Sequence, residues 1–443
     1  MVKNTHEIRD PVHVFIKLDS QERNVLDSPP FQRLRCIHQL AMTYLVYPGA
    51  THRRFEHSLG VMELAGRVYD IITDPENLTD EIRNLFSQVQ DKDAQRYWRR
   101  VLRLAALCHD IGHLPFSHAA EDLLPGGMDH EQMTRNIILS PEMNAIWSGM
   151  RPKPEPEDIV KLALGAKKSP DLEFSDWESL LAEIIVGNAF GVDRMDYLLR
   201  DSLHTGVAYG RFDHFRLIDT LRILPPPAHG DEGERSSEPY IGVEAGGLQS
   251  AEALLLARYF MFSQVYFHPI RRIYDIHLRD FLVEWLEGGC YPTDTDLFSK
   301  FTDAEITSAM RKAASEPGHP GHDHAKRIIN RGHFHVLYEG LLNDIIASGG
   351  IMRGKQIAEA AADKFGSENV RYDAYTPKHS RIEFPVRERD GSVVSSLAKS
   401  QALSKIPDAA FDYIFVEKAI LSEAADWYQS NKDELAAVSG KEE

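Results

Sequence analysis

The sequence predicts a mainly α-helical core with a small C-terminal α+β lobe. Apolar residues recur at three and four positions from Phe31 to Asp201, and again from Gly247 to Gly288, the period of helices with one buried face. After about Val370 that period gives way to short β-branched and aromatic runs separated by turn residues. The chain has 443 residues, enough to bury a large core. The expected division is a core over residues 1–340 and a lobe over 341–443.

In chain order, "DPVHVFIKL" (Asp10–Leu18) alternates enough for a short strand, and Asp19-Ser20 caps a helix that Pro29-Pro30 interrupts. "TDPENLTDE" and "RPKPEPED" break the helical period as surface loops, and "LPPPAHGDEGERSSEP" (Leu224–Pro239) has the Pro, Gly and charge content of an external loop. In "RIEFPVRERDGSVVSSL" two strands join at Asp390-Gly391, and "FDYIFVE" reads as a third. No repeat or low-complexity tract is present.

Composition removes several functions. A formal net charge of -17 speaks against a general nucleic-acid binder, since phosphate backbones recruit Lys and Arg surfaces. Cys36, Cys108 and Cys290 are widely spaced with no CxxC, which excludes a disulfide framework and suits a reducing compartment. The N-terminus carries charges where a signal peptide needs an apolar run, and no segment has the length to span a bilayer. The expectation is a soluble, cytoplasmic protein without a membrane partner.

Chemistry concentrates in "LCHDIGHLPFSHAAE" (Leu107–Glu121), where His109 stands beside Asp110 within an apparently buried helix. Six of the 20 histidines lie between His52 and His130, a density that structural roles do not explain. Adjacent helical residues point about 100° apart, so His109 and Asp110 share an ion only at the edge of their helix, with other segments completing the shell. His57 in "RRFEHSLG" and Asp193 in "GVDRMDYLLRD" are the candidates. Mixed imidazole and carboxylate ligation suits manganese, iron, magnesium or cobalt better than a thiolate zinc site does.

"IRDPVH", "FQRLRCIHQL", "YPGATHRRFEHSLG", "CHDIGHLPFSH", "VDRMDYLLRD" and "TGVAYGRFDHFRL", in that order, resemble the HD-domain superfamily. The likeness is to its deoxynucleoside triphosphate (dNTP) triphosphohydrolases, related to the sterile-alpha-motif HD-domain protein and the bacterial dGTPases. It is dense over the first half of the chain and faint beyond. Val14 and Ala41 depart from it, standing where the family usually has glycine.

Position by position, the resemblance implies His57, His109, Asp110 and Asp193 as ligands of a divalent metal. It implies His118 as proton donor, Glu121 as its orienting partner, and His113, His130 and Arg54 as phosphate contacts. Around the sugar it implies Gln39 and Asp201 on the 3′-hydroxyl, with Leu40, Tyr197 and Tyr274 closing the space beside C2′. Asp27, Gln32 and Arg35 match the part of an activating site that reads guanine, a base whose O6 and N7 suit an arginine. The implied activity is cleavage of a dNTP to deoxynucleoside and inorganic triphosphate, by a homo-oligomer, tetramer or dimer. The metal set alone does not choose the bond, so two other classes stay open: an HD phosphodiesterase acting on a cyclic or oligonucleotide substrate, and a non-catalytic nucleotide sensor.

Overall fold

The computed structural model describes residues 5–225, 240–340, 353–376, 382–407 and 409–437, so the expected loop at Leu224–Pro239 lies almost wholly outside the described residues. The chain opens with a hairpin where a single strand was expected: β1 (Thr5–Asp10) and β2 (Val14–Asp19) pair antiparallel from Thr5↔Asp19 to Asp10↔Val14. Pro11 has no N–H to give a ladder and falls in the turn. Asp10 Oδ1 closes that turn, accepting from the amides of Val12 and His13 at 2.8 Å each.

Val14 and Ala41 have φ of +68° and +47°. These are the two positions where the resembled family has glycine, and the backbone gives the reason: an L side chain in the left-handed region costs roughly 1–2 kcal/mol, and glycine does not pay it. The β-branch of Val14 makes it the more strained of the pair.

Helices follow: α1 (Ser20–Leu26), α2 (Arg54–Ile72), α3 (Lys92–Cys108), α4 (His130–Ile138), α5 (Pro156–Leu164), α6 (Asp176–Val186) and α7 (Val192–Thr205). Asp19 caps α1 as the sequence predicts, in a capping box with Glu22. Glu22 is buried and also accepts from Arg103 Nε at 2.6 Å, which ties the hairpin end to α3. Helix α2 packs against α3, α6 and α7 and is buried on most of its surface, with Arg54 and His57 among the buried residues. Gly60 admits α7, since a Cβ there would stand 1.9 Å from Asp196 Oδ1.

Beyond α7, β3 (Leu221–Leu224) and β4 (Tyr240–Glu244) pair antiparallel, then α8 (Leu248–Met261), α9 (Pro269–Trp285) and α10 (His322–Ile329) follow. After them come β5 (His335–Glu339), α11 (Arg353–Phe365), β6 (Val370–Tyr375), β7 (Pro385–Arg387), β8 (Val393–Ser395), β9 (Phe411–Val416) and α12 (Leu421–Ala437). The Asp390-Gly391 hairpin forms as expected, with Gly391 at φ +88° joining β7 to β8.

The chain forms two compact units that cut it differently from the expected boundary at residue 340. The first comprises Met1–Arg258, Tyr291–Ala304 and Arg381–Ile406, the second Tyr259–Cys290, Glu305–Ser380 and Pro407–Glu443. In the first, β7–β8 extend the β3–β4 sheet through a parallel β4–β7 pair. In the second, β9 lies between β5 and β6, buried along its whole length, over a core that includes Ile357, Ala361, Ile414 and Ala424. The strands expected in one lobe therefore serve two units, because local patterning specifies a strand and not its partner. Among the described residues no helix is long and apolar enough to cross a membrane.

Val14→Gly should stabilise the protein by about 1 kcal/mol, because its side chain is half exposed and relief of strain outweighs the added freedom of the unfolded chain. Thermal unfolding followed by circular dichroism should show a higher Tm.

Candidate active site

Helix α3 ends at Cys108, so His109 and Asp110 lie in the turns after it and not inside a helix extending to Glu121. The two adjacent side chains thus sit at the end of the helix, where they can converge on one point. Gly112 fixes the turn against α4: a Cβ there would meet the Thr134 amide nitrogen at 2.2 Å, while its own N–H donates to Thr134 Oγ1 at 3.0 Å.

His57 from α2, His109 and Asp110 from the turn, and Asp193 from the first turn of α7 come together. His57 Nε2 lies 3.0 Å from Asp193 Oδ1 and 3.7 Å from Asp110 Oδ2; His109 Nε2 lies 3.4 Å from Asp193 Oδ1 and 3.5 Å from Asp110 Oδ1. Ligands at about 2.1 Å from one ion stand about 3.0–3.4 Å apart; the two pairs to Asp193 match that spacing, the two to Asp110 are slightly wider, and His57, His109 and Asp110 lie close enough together to share a cation. His109 Nε2 is buried without a hydrogen-bond partner, a donor set facing a place for an ion. Its Nδ1 is held 2.8 Å from the Ala106 carbonyl, which directs Nε2 into the group.

Charge in the group is tightly balanced. Burial pulls the His57 pKa down, but hydrogen bonds to Asp193 and Asp196 raise it to about 10. Burial pushes Asp110 up, but the Arg54 guanidinium and the neighbouring histidines bring it down to about 2. Arg54 Nη1 donates to Asp110, and its Nε and Nη2 donate to Ser117 Oγ at 3.1 and 2.9 Å.

A second histidine group adjoins the first. His113 Nε2 lies 3.6 Å from Asp110 Oδ1, and its ring stacks on His130 at 3.9 Å and meets His118 edge-on at 4.7 Å. Glu121 holds both other rings: His118 Nδ1 is 3.0 Å from Oε2, and His130 Nδ1 bonds to Oε1. Burial raises the Glu121 pKa, but those two hydrogen bonds take it well below the usual carboxylate range. The His118 side chain is 57% exposed, so it faces whatever enters.

The loop that carries His118 is strained, with Phe116 and Ser117 at φ of +56° and +60°. Asp303 anchors it: Oδ1 accepts from the Phe116 amide and Oδ2 from the His38 amide, each at 2.7 Å. Nothing in the sequence pattern near Asp303 signals this, because it is some 190 residues away, at |i−j| = 187.

The residues expected around the sugar fall in both units, Tyr274 in the second and the others in the first. Gln39, Leu40 and Asp201 are buried, and His52 connects them: its carbonyl accepts from the Gln39 amide at 3.0 Å, and its Nε2 lies 2.6 Å from Asp201 Oδ1. Gln39 Oε1 is buried and has no hydrogen-bond partner. Tyr197 sits one turn past Asp193 on α7. Tyr274 belongs to the second unit, where it is buried edge-on to His333 at 5.0 Å. Of the expected activator residues, Gln32 and Arg35 meet, with Arg35 Nε donating to Gln32 Oε1 at 2.8 Å and its guanidinium lying over the Phe55 ring. Asp27 pairs instead with Arg23, Nε to Oδ2 at 3.1 Å.

His277, Asp280 and His324 also gather in the second unit. Asp280 Oδ2 already accepts from Arg371 Nε at 3.0 Å, and burial with Arg327 and Arg371 nearby lowers His277 to about 2. Arg327 and Arg371 thus place two positive charges beside this cluster.

Comparisons with known proteins agree with the geometry. Residues 54–201 match the HD domain and residues 212–367 the HD associated region. The crystal structure of a hypothetical protein from Aquifex aeolicus is similar to 95% of this chain and 99% of its own, with 31% identity and a TM-score of 0.75. The chain belongs to the HD-domain family. An uncharacterized protein of Methanocaldococcus jannaschii is 35% identical over 280 residues, 63% of this chain and 50% of that protein. The deoxynucleoside triphosphate triphosphohydrolase SAMHD1 of Gallus gallus is 29% identical over 370 residues, 75% of this chain and 55% of that protein. The chain thus spans about half the length of the curated relatives it matches.

His109→Ala should weaken manganese binding by more than the roughly 10- to 100-fold that loss of an outer partner costs. Far-UV circular dichroism should be unchanged, and calorimetric titration of the metal-free protein reads the affinity.

Proposed function

We propose that the chain is a divalent-metal-dependent phosphohydrolase acting on dNTPs, cleaving between the α-phosphorus and the 5′ oxygen. The observation that carries it is the contact of the two groups: His113 lies 3.6 Å from Asp110, so a proton-transferring cluster stands directly beside a cation-binding one. Similarity to a protein named as a dNTP triphosphohydrolase supports the substrate.

When bound at His57, His109, Asp110 and Asp193, a divalent ion supplies charge neutralisation at the phosphate oxygens and lowers the pKa of water. The residues do the rest. Arg54 adds a fixed positive charge at the same place, beside Asp110 and Ser117. His113 and His130 offer ring N–H groups to phosphate oxygens. Water adds to the α-phosphorus and releases a proton to the solvent, the bond to O5′ breaks with its electron pair on that oxygen, and a proton from His118, regained from the solvent afterwards, completes the deoxynucleoside. Inorganic triphosphate is the other product. Burial, His130 and Arg54 lower the His118 pKa; the Glu121 carboxylate works against that lowering and orients the ring through Nδ1, which leaves Nε2 to deliver the proton. Asp201 accepts from the 3′-hydroxyl and the Gln39 side-chain amide N–H donates to its oxygen, while Leu40 and Tyr197 limit room at C2′. The same reading extends to a homo-oligomer activated by a guanine nucleotide at Asp27, Gln32 and Arg35.

Incubation with each dNTP, alone and in pairs, with manganese or magnesium, followed by phosphorus NMR of the products, tests this. Inorganic triphosphate supports it. Nucleoside monophosphate favours the phosphodiesterase, and tight binding without turnover favours the sensor. His118→Ala should lower kcat by about 10²- to 10⁴-fold with little change in KM. An equal loss in apparent affinity makes His118 a phosphate anchor instead.

A further inference from the structure

Asp196 lies behind the metal group with no exposure to solvent. His57 turns Nε2 toward the other donors, and its Nδ1 stands 2.8 Å from Asp196 Oδ2. The same oxygen accepts from Arg200 Nε at 2.9 Å, and Oδ1 meets His13 Nε2 at 2.6 Å and Arg200 Nη2 at 3.0 Å. Arg200 Nη1 donates on to Asp10 Oδ2 at 2.8 Å, while Asp10 Oδ1 closes the turn that presents His13. The positions 193, 196, 197, 200 and 201 form one stripe of α7, so a helix face that usually carries apolar residues here carries Asp, Tyr and Arg.

Packing does not explain this network. Buried ionic groups are often no better for stability than apolar residues of similar size, so two distant segments and an arginine of the same helix converging on one carboxylate call for another role. The turn is also kept at the expense of strain, since Val14 at φ +68° directly follows His13. Two carboxylates, Asp10 and Asp196, against the single Arg200 guanidinium leave surplus negative charge on the side of His57 opposite the metal donors.

We propose that Asp196 is a positioning residue of the metal centre, and that the turn from Asp10 to His13 is part of the same device. Asp196 holds the proton of His57 on Nδ1, orients the ring, and strengthens Nε2 as a ligand. His13 and Arg200 fix Asp196 in turn, so metal affinity depends on a turn 183 residues away in sequence from Asp196. This rests on the metal reading of the site given above.

The test uses the full chain, stripped with a chelator and titrated with cobalt(II) alone, followed by calorimetry and by the visible spectrum of the ion. Asp196→Asn should weaken binding by about 10- to 100-fold and alter the spectrum. His13→Asn should weaken it by a smaller factor in the same direction, and His13→Gln, whose amide N–H still reaches Asp196, should restore most of the loss. If Asp196→Asn does not fold, the His13 pair decides. Folded variants that bind cobalt(II) with wild-type affinity and spectrum overturn the proposal. A wild-type chain that takes up no cobalt(II) is a different result: it removes the metal reading itself, and the proposal falls with it.

Discussion

Asp110 and Asp196 are carboxylates shut away from water that must keep their charge, and the geometry around them is arranged to let them. An unpaired buried carboxylate neutralises itself by taking up a proton, and a neutral acid is a poor cation ligand. Burial raises Asp196, yet Arg200, His13 and His57 hold it well below the ordinary range, and Arg54 with the histidines does the same for Asp110. Arg54 and Arg200 each let a neighbouring oxygen stay charged where desolvation would discharge it.

This constraint reaches into the backbone. Gly60 and Gly112 bring α7 and α4 close enough for side chains on separate segments to meet, at distances no Cβ would permit. Consecutive left-handed residues at Phe116 and Ser117 turn the chain sharply so that His118 faces outward while Ser117 Oγ reaches back to Arg54. Strain of this kind persists only where surrounding bonds over-determine it, and Asp303 supplies them.

Much of this was legible in the sequence and some of it was not, for physical reasons. The helical core follows from the 3.6-residue period, the α1 cap from Asp19 and Glu22, and the late hairpin from Asp390-Gly391, all of them local signals. Assignment of β7–β8 and β9 to one lobe failed because sheet partners are chosen over long separations. The strand at Asp10–Leu18 proved to be half a hairpin, since Pro11 places the turn where alternation alone does not. The histidines of the site stand out by their density, whereas Asp196, Asp303 and His13 do not, each being an ordinary polar residue until the fold buries it beside a partner. Val14 and Ala41 were visible as departures from a family pattern, and only their φ values say why glycine belongs there.

The central claim is that His57 and His109 put imidazole nitrogens on one ion shared with Asp110 and Asp193. Pulsed electron paramagnetic resonance of the manganese-loaded full chain addresses it directly, because nitrogen bound to the ion imprints its nuclear frequencies on the electron spin echo. The account predicts a single class of bound manganese per chain with coupling from two imidazole nitrogens. Bound manganese with no nitrogen coupling, or with coupling that persists when His57 and His109 are both replaced by glutamine, would contradict it.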